Sequence, residues 1–376
     1  MRDAVIVDAV RTPIGKRRGA LADVHPASMS AAVLRALTER TGIDPSIVDD
    51  VIWGCVSQVS EQASNIGRNA VLAAGWPETV PATSVNRACG SSQQAVSFAA
   101  AGIMSGQYEF AVAGGVESMT RVPMGSAAQG GQPAPAELLE RYGVSGFNQG
   151  NGAEMIAERW GFSRTALDEY ALRSHSLAAA ATDAGAFASQ VIPLGGLDSD
   201  EGIRRGGSLE KLATLPTPFK EDGVVSAGNA SQISDGSGAL LLTTSENATA
   251  HGLTPLARIH TAVVAGDDPV IMLTAPIRAT ALALKKSGLS IDEIGAFEVN
   301  EAFASVPLAW LAETGAKEDR MNPLGGAIAV GHPLGGSGAI LMTRLVHHMR
   351  DNGIRFGLQT MCEAGGLANA TVLELL

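Results

Sequence analysis

Cys89 is the residue around which a reaction can be built. It lies in Val85-Asn86-Arg87-Ala88-Cys89-Gly90-Ser91-Ser92, a polar, turn-prone stretch that runs into the small, Ala-rich residues 93–101. That segment contains no Pro and reads as a buried helix, so Cys89 falls at or just before a helix N-terminus. Free backbone N–H groups and the positive end of the helix dipole favour a thiolate there. Gly90 lets another molecule approach the sulfur closely. A lone cysteine is more often a small buried hydrophobe, which is how Cys55 reads in the alternating run 51–56. A nucleophilic cysteine needs a base, and His332 supplies one from the loop Gly331-His332-Pro333-Leu334-Gly335-Gly336-Ser337-Gly338. Cys362, closing the apolar run 357–362, can give or take a proton at carbon. Asn300 can hold a water or a carbonyl oxygen, and N–H groups of Gly-rich turns can hold an oxyanion. Taken singly, His332 is a turn residue, Cys362 is core and Asn300-Glu301 is a helix cap.

Wide spacing without paired ligands argues against zinc. The His332 loop follows neither the dinucleotide nor the phosphate-loop spacing, so neither a metal nor a nucleotide cofactor is expected.

The elements that must position these residues alternate between strand and helix. Residues 4–10 form an apolar run ending in a turn at Arg11-Thr12-Pro13-Ile14-Gly15, and Lys16-Arg17-Arg18 reads as a solvated basic loop. Helical spacing marks 30–40 and 65–74, strands mark 51–56 and 110–113, and Gly114-Gly115 closes the last of these. From Glu117 the texture changes to Gly-, Pro- and Gln-rich loops with amphipathic helices at 154–160 and 165–180, so about 118–230 reads as an inserted helical and looped subdomain. Strand texture returns at 239–242. The second half repeats the outline: a strand at 256–259, a helix at 279–287, a strand at 296–299, a helix at 339–350 and a strand at 357–362 closed by Gly365-Gly366. His332 precedes a helix in one half much as Cys89 does in the other. A duplicated α/β unit with one site between its halves accounts for this.

The chain has 376 residues, too many for one small core. Its 45% hydrophobic and 17% charged content is that of a globular protein. A net charge of −11 argues against a general nucleic-acid surface but leaves room for a local basic patch around an anionic ligand. Three cysteines at wide spacing fit a reducing compartment, no run is long enough for a membrane span, and Asp3 and Asp8 in the first apolar stretch are wrong for a secretory signal. The cytoplasm is the expected location.

The sequence resembles the thiolase family over essentially its whole length. The likeness rests on Arg11-Thr12-Pro13-Ile14-Gly15, Asn86-Arg87-Ala88-Cys89-Gly90-Ser91 and Ala227-Gly228-Asn229-Ala230-Ser231. It continues in Asn300-Glu301-Ala302-Phe303, in residues 325–333 and in the Cys362 loop. The resemblance implies an α/β fold of five layers, αβαβα. Its two similar halves would span 1–252 and 256–376, with a loop domain inserted at about 118–230. It also implies a homo-oligomer, dimer or tetramer, acting on acyl-CoA, with coenzyme A as substrate and no covalently bound cofactor. By resemblance Cys89 carries the acyl group, His332 deprotonates it and Cys362 exchanges a proton with the acetyl-CoA enolate. Asn300 positions a water, and Ser231 meets the pantetheine arm.

Two departures stand out. The family's glycine after Cys362 and one further residue is here Ala364, whose N–H would share an oxyanion hole with that of Cys89; alanine keeps this role if its φ is negative. The His-Met pair that narrows the acyl pocket of short-chain acetoacetyl-CoA thiolases is missing from Phe147-Asn148-Gln149-Gly150-Asn151-Gly152, which leans the substrate toward longer or unusual 3-ketoacyl-CoA. An acetoacetyl-CoA-specific biosynthetic acetyltransferase, a malonyl-decarboxylating condensing enzyme and a non-catalytic CoA or lipid binder are the alternatives. Retention of Cys89, His332 and Cys362 together speaks against the last.

Overall fold

The computed structural model describes residues 2–376. The first half runs β1 (Val5–Arg11), the two-residue β2 (Gly15–Lys16), α1 (Pro26–Thr41), β3 (Asp50–Gly54), α2 (Ile66–Ala73), β4 (Ala82–Val85), α3 (Ser91–Ser105) and β5 (Phe110–Ser118). Four helices follow: α4 (Ala136–Tyr142), α5 (Gln149–Trp160), α6 (Arg164–Asp183) and α7 (Leu209–Ala213). Then β6 (Ser234–Thr243) and α8 (Ser245–Ala250) complete this half. The second half comprises β7 (Ala257–Gly266), α9 (Ala275–Ser287), β8 (Ala296–Val299), α10 (Ser305–Thr314), α11 (Ala327–Val330), α12 (Ser337–Asn352), β9 (Phe356–Glu363) and β10 (Leu367–Leu375).

The strands lie in the order β4-β3-β5-β6-β1 and then β7-β10-β9-β8. The two groups join at one edge, where β1 meets β7 through the pairs Val5–Arg258 and Ile6–Ala257. Their wiring is similar: β3 is parallel to β5 as β8 is to β9, β5–β6, β6–β1, β9–β10 and β10–β7 are antiparallel, and the first half adds β4, parallel to β3, at its edge.

Strand periodicity explains the layering. Along β5, Phe110, Val112 and Val116 point outward to Val33, Leu34 and Leu37 of α1, whereas Ala111 and Ala113 point inward to α3. The inner core also takes Met342, Leu345 and Val346 of α12, together with Ala257 and Ala296 of the second sheet. Thus α3 and α12 pack side by side between the sheets, and α9 covers the far face of the second. A Cβ at Gly338 would collide with the backbone of Gln93, so glycine permits the close approach of α12 to α3. Layers in the order αβαβα result. The helices after the Cys89 turn and the His332 loop are therefore neighbours, which brings the two loops to one end of the molecule.

Helix α5 begins at Gln149, five residues before the segment read from sequence, because the Asn148 side chain accepts from the N–H groups of Gly150 (2.9 Å) and Asn151 (3.1 Å). Its apolar face joins that of α6 against Ile271, Phe297 and Trp310. Strands β4 and β10 and helix α10 were not anticipated from the sequence. Among the described residues no helix is long and apolar enough to cross a membrane.

Candidate active site

Cys89 sits in the turn between β4 and α3. Asn86 Oδ1 accepts from Ala88 N–H (2.8 Å), Ser91 Oγ accepts from Arg87 N–H (2.9 Å), and that hydroxyl donates to Ala88 O (2.6 Å). These bonds hold Ala88 at φ +44°, a left-handed conformation that costs a residue with a Cβ roughly 1–2 kcal/mol. Gly90 is the N-cap of α3, so Cys89 lies just before the helix N-terminus, as expected. The expected thiolate is not favoured. The thiol is 4% exposed, and burial pushes its pKa well up, with the charges of Cys362 and Glu363 adding to the effect. In the free protein desolvation outweighs the helix dipole.

His332 follows α11, its N–H donating to Gln232 O and Ser234 Oγ (3.2 Å each). Its Nδ1 lies 2.6 Å from Ser337 Oγ, and the Ser337 hydroxyl proton is committed to Pro333 O at 2.9 Å. Ser337 can therefore only accept, so Nδ1 carries the imidazole proton and Nε2 keeps its lone pair. Burial lowers the His332 pKa to about 4, which leaves that lone pair free at neutral pH.

Asn300 stands directly after β8, fixed by its N–H to Thr360 O (3.1 Å). Its Nδ2 reaches His332 Nε2 at 3.5 Å and Cys362 Sγ at 3.9 Å. Its Oδ1 is buried with no donor among the described residues. Cys362, 1% exposed near the end of β9, is pushed up to about 12 by burial, against the pull of the Asn300 amide. Asn300 thus bridges His332 and Cys362, while Cys89 lies close enough to Cys362 to feel its charge.

A cavity of about 660 Å³ opens over this centre. Its wall includes His332, Met119, Leu334, Ser231, Phe303 and Gln149. Cys89 packs with Met119 and Leu334 from behind that wall, so the thiols lie beneath the cavity and do not line it. Ser231 is held by its N–H to Ala302 O (2.9 Å). Lys16 and Arg17, read from the sequence as part of a solvated loop, line the cavity together with Arg204. The Lys16 and Arg17 side chains are exposed, as the solvated-loop reading expects, and the pairing of β2 with the start of β6, at Gly15–Asp235 and Lys16–Ser234, holds them at the cavity mouth. Ala364 occupies an exposed turn and is not among the positive-φ residues.

Sequence reading missed Ser337 and Glu117. Glu117 ends up with its buried carboxylate accepting from the N–H groups of Val56 (2.9 Å), Ser57 (3.0 Å) and Gly335 (2.8 Å) and from Gln62 Nε2 (2.8 Å). It clamps the His332 loop to the first half. A hydroxyl five residues after a histidine, at a helix start, was the available signal for Ser337. Nothing local pointed to Glu117.

The sequence matches the thiolase N-terminal domain over residues 4–246 and the thiolase C-terminal domain over residues 253–375. The chain belongs to the thiolase family. It is 50% identical to a steroid 3-ketoacyl-CoA thiolase of Mycobacterium tuberculosis, over all of this chain and 95% of that protein. It is 41% identical to the 3-ketoacyl-CoA thiolase of Bacillus subtilis, over the full length of both. Among solved structures, the acetyl-CoA acetyltransferase of Bacillus anthracis superposes with a TM-score of 0.91 at 37% identity, covering 100% of this chain and 99% of that one. This thiolase is an acyltransferase that cleaves 3-ketoacyl-CoA with coenzyme A.

Proposed function

We propose that this thiolase acts on 3-ketoacyl-CoA whose acyl group is larger than acetoacetyl, through an acyl group carried on Cys89. The arrangement of His332 Nε2 and Cys362 Sγ around the one Asn300 amide carries the reading, because it sets a base and a proton donor on a common centre. His332 takes the Cys89 proton, and the sulfur bonds to the 3-keto carbon. The C2–C3 bond breaks, its electron pair passes to the acetyl-CoA enolate, and Cys362 protonates that carbon. In the second half-reaction the Cys362 thiolate takes the proton of the coenzyme A thiol, whose sulfur attacks the thioester on Cys89; the Cys89 sulfur leaves with the proton held on His332, which releases the shortened acyl-CoA and restores all three groups. Asn300 Oδ1 orients a water that, with His332, binds the thioester oxygen. The N–H groups of Cys89 and Ala364 stabilise the other oxyanion. The non-left-handed backbone of Ala364 is compatible with that role.

The pantetheine arm runs past Ser231, and the phosphates of coenzyme A meet Lys16, Arg17 and Arg204, a basic rim on a chain of net charge −11. The width of the acyl pocket is read from α5. Asn148 is committed to capping the helix, and Gln149 stands on the cavity wall with Phe219 and Met124. The steroid substrate named for the Mycobacterium relative is consistent with a bulky acyl group. The exposed sheet edge at β4, beside Phe98 (47% exposed) of α3, supports assembly with a second copy. Three free cysteines support a reducing, cytoplasmic setting.

Incubation with a 3-ketoacyl-CoA series of rising chain length, without free coenzyme A, tests the reading. Peptide mass spectrometry should find the shortened acyl group on Cys89, with cleavage favouring chains longer than acetoacetyl. Label on any other residue refutes the assigned nucleophile.

A further inference from the structure

Glu363 has no part in this scheme, yet it follows Cys362 directly and faces the Cys89 turn. It is fully buried, and neither carboxylate oxygen has a side-chain donor among the described residues, the Asn369 N–H being the one backbone donor that bears on it. A Cβ added at Gly90 would overlap Glu363 Oε1 and stand 2.5 Å from Asn369 Oδ1, so the two oxygens look into one small space. Asn369 Oδ1 also lacks a donor, while its Nδ2 is engaged with Gln94 Oε1 at 3.3 Å. Two unpartnered acceptors facing each other in a dry site are satisfied by a proton between them. The charged and titratable groups that bear on Glu363 and this space are Arg87 from the cysteine turn, whose Nε is buried and unpartnered, and the two thiols.

We propose that Glu363 is a third proton-holding group of this centre, a positioning residue that acts through the cysteines. As the neutral acid it donates to Asn369 Oδ1 and leaves Cys89 and Cys362 free to ionise. As the carboxylate it opposes a negative charge on either sulfur. The step is one O–H ionisation: the proton leaves to solvent, the carboxylate gains one negative charge, and no other bond changes. Burial holds the Glu363 pKa up at about 8, against the pull of Arg87 and of the Asn369 N–H, so the change falls just above neutral pH. The reactivity of Cys89 should therefore lag behind the tenfold rise per pH unit of an isolated thiol as Glu363 ionises.

The proposal rests on the site reading above, and its test is independent of thiolysis. Iodoacetamide alkylation of the Cys89 peptide is timed by mass spectrometry from pH 6.5 to 9.5 in the wild type, in Glu363→Gln and in Arg87→Gln. Glu363→Gln mimics the neutral acid, so its rate should match wild type at pH 6.5 and exceed it about tenfold at pH 9.5, the effect of one pKa unit on a thiol. Arg87→Gln removes the cation that favours the carboxylate, so it should move the lag to higher pH. A Glu363→Gln to wild-type ratio that stays constant across the range, with both proteins folded by near-ultraviolet circular dichroism, overturns the proposal. So does a lag that Arg87→Gln leaves in place. If alkylation behaves as expected while thiolysis is absent, the reaction assignment fails and this proposal stands.

Discussion

Ser337→Ala tests whether the base is prepared in the resting protein. The hydroxyl accepts from His332 Nδ1 at 2.6 Å and donates to Pro333 O at 2.9 Å, in a buried setting. Removing it leaves Nδ1–H without an acceptor, at a cost of about 1–3 kcal/mol for a buried unsatisfied donor. The imidazole can relieve that cost by moving its proton to Nε2 or by rotating, and in either case the base facing the cysteines is lost. If the full penalty falls on the reactive tautomer, kcat for thiolysis drops about 5- to 150-fold, with KM nearly unchanged because the cavity wall is intact. The assay follows loss of the 3-ketoacyl-CoA enolate absorbance in wild type and variant, alongside the rate of Cys89 acylation in a single turnover. A folded Ser337→Ala protein with unaltered kcat and acylation rate would refute the tautomer assignment. A rise in KM alone would move the role of Ser337 to substrate binding.

Gly90→Ala places a methyl group against Glu363 Oε1 and Asn369 Oδ1, so it should destabilise by about 1–3 kcal/mol in denaturant titration. Glu363→Ala in the same chain should restore part of that loss. The pKa of Glu363 is raised in the folded state to about 8 from an ordinary value of 4.5, so its stabilising effect relative to the ionised form is complete below pH 4.5 and is lost as pH rises through 8. Glu363→Gln should therefore melt at least about 2 °C above wild type at pH 9 by calorimetry, a margin that should shrink toward pH 6. Gln149→Met, which restores bulk to the cavity wall, should cut kcat/KM about tenfold for long 3-ketoacyl-CoA and spare acetoacetyl-CoA in the chain-length panel.

What could be read in the sequence followed from local rules. Ala296–Val299 is a strand with the anticipated boundaries, and Gly365-Gly366 marks the turn after β9, whereas Gly114-Gly115, expected to close a strand at 113, lies inside β5, which pairs with β6 as far as Ser118. The pairing of the Cys89 helix with the His332 helix was visible as a repeat, because each small-residue helix follows a reactive loop. The rest depended on partners far away in the chain. Residues 82–85 carry a polar Thr-Ser pair and become a strand because β3 offers an unpaired edge. Leu367–Leu375 is a strand because β7 and β9 flank it on both sides. Lys16 and Arg17 stand at the cavity mouth through the pairing of β2 with β6, which no local pattern encodes. The role of Glu117 is likewise tertiary, since its partners Val56, Ser57 and Gly335 are brought near by the fold alone, whereas Ser337 acts on His332 within one loop.

The resting charge state is the clearest case in which the fold overrides a local rule. A helix N-terminus favours a thiolate by roughly 0.3–1 kcal/mol, up to ~2 in partly buried settings, whereas full burial of a charge displaces a pKa by several units. Burial raises both cysteines and lowers His332 to about 4. All three shifts favour neutral thiols beside a neutral imidazole. In the proposed reaction, formation of an ion pair between Cys89 and His332 is coupled to substrate arrival, when the thioester oxygen and the donors around it supply the stabilisation. A buried centre kept neutral in this way also shields two nearby thiols from solvent oxidants, because the thiolate is the reactive form. The two halves contribute together: the first supplies Cys89 before α3, the second supplies His332 before α12 and Cys362 on β9. The contact between α3 and α12 keeps the two thiols beneath the wall that His332 helps to form.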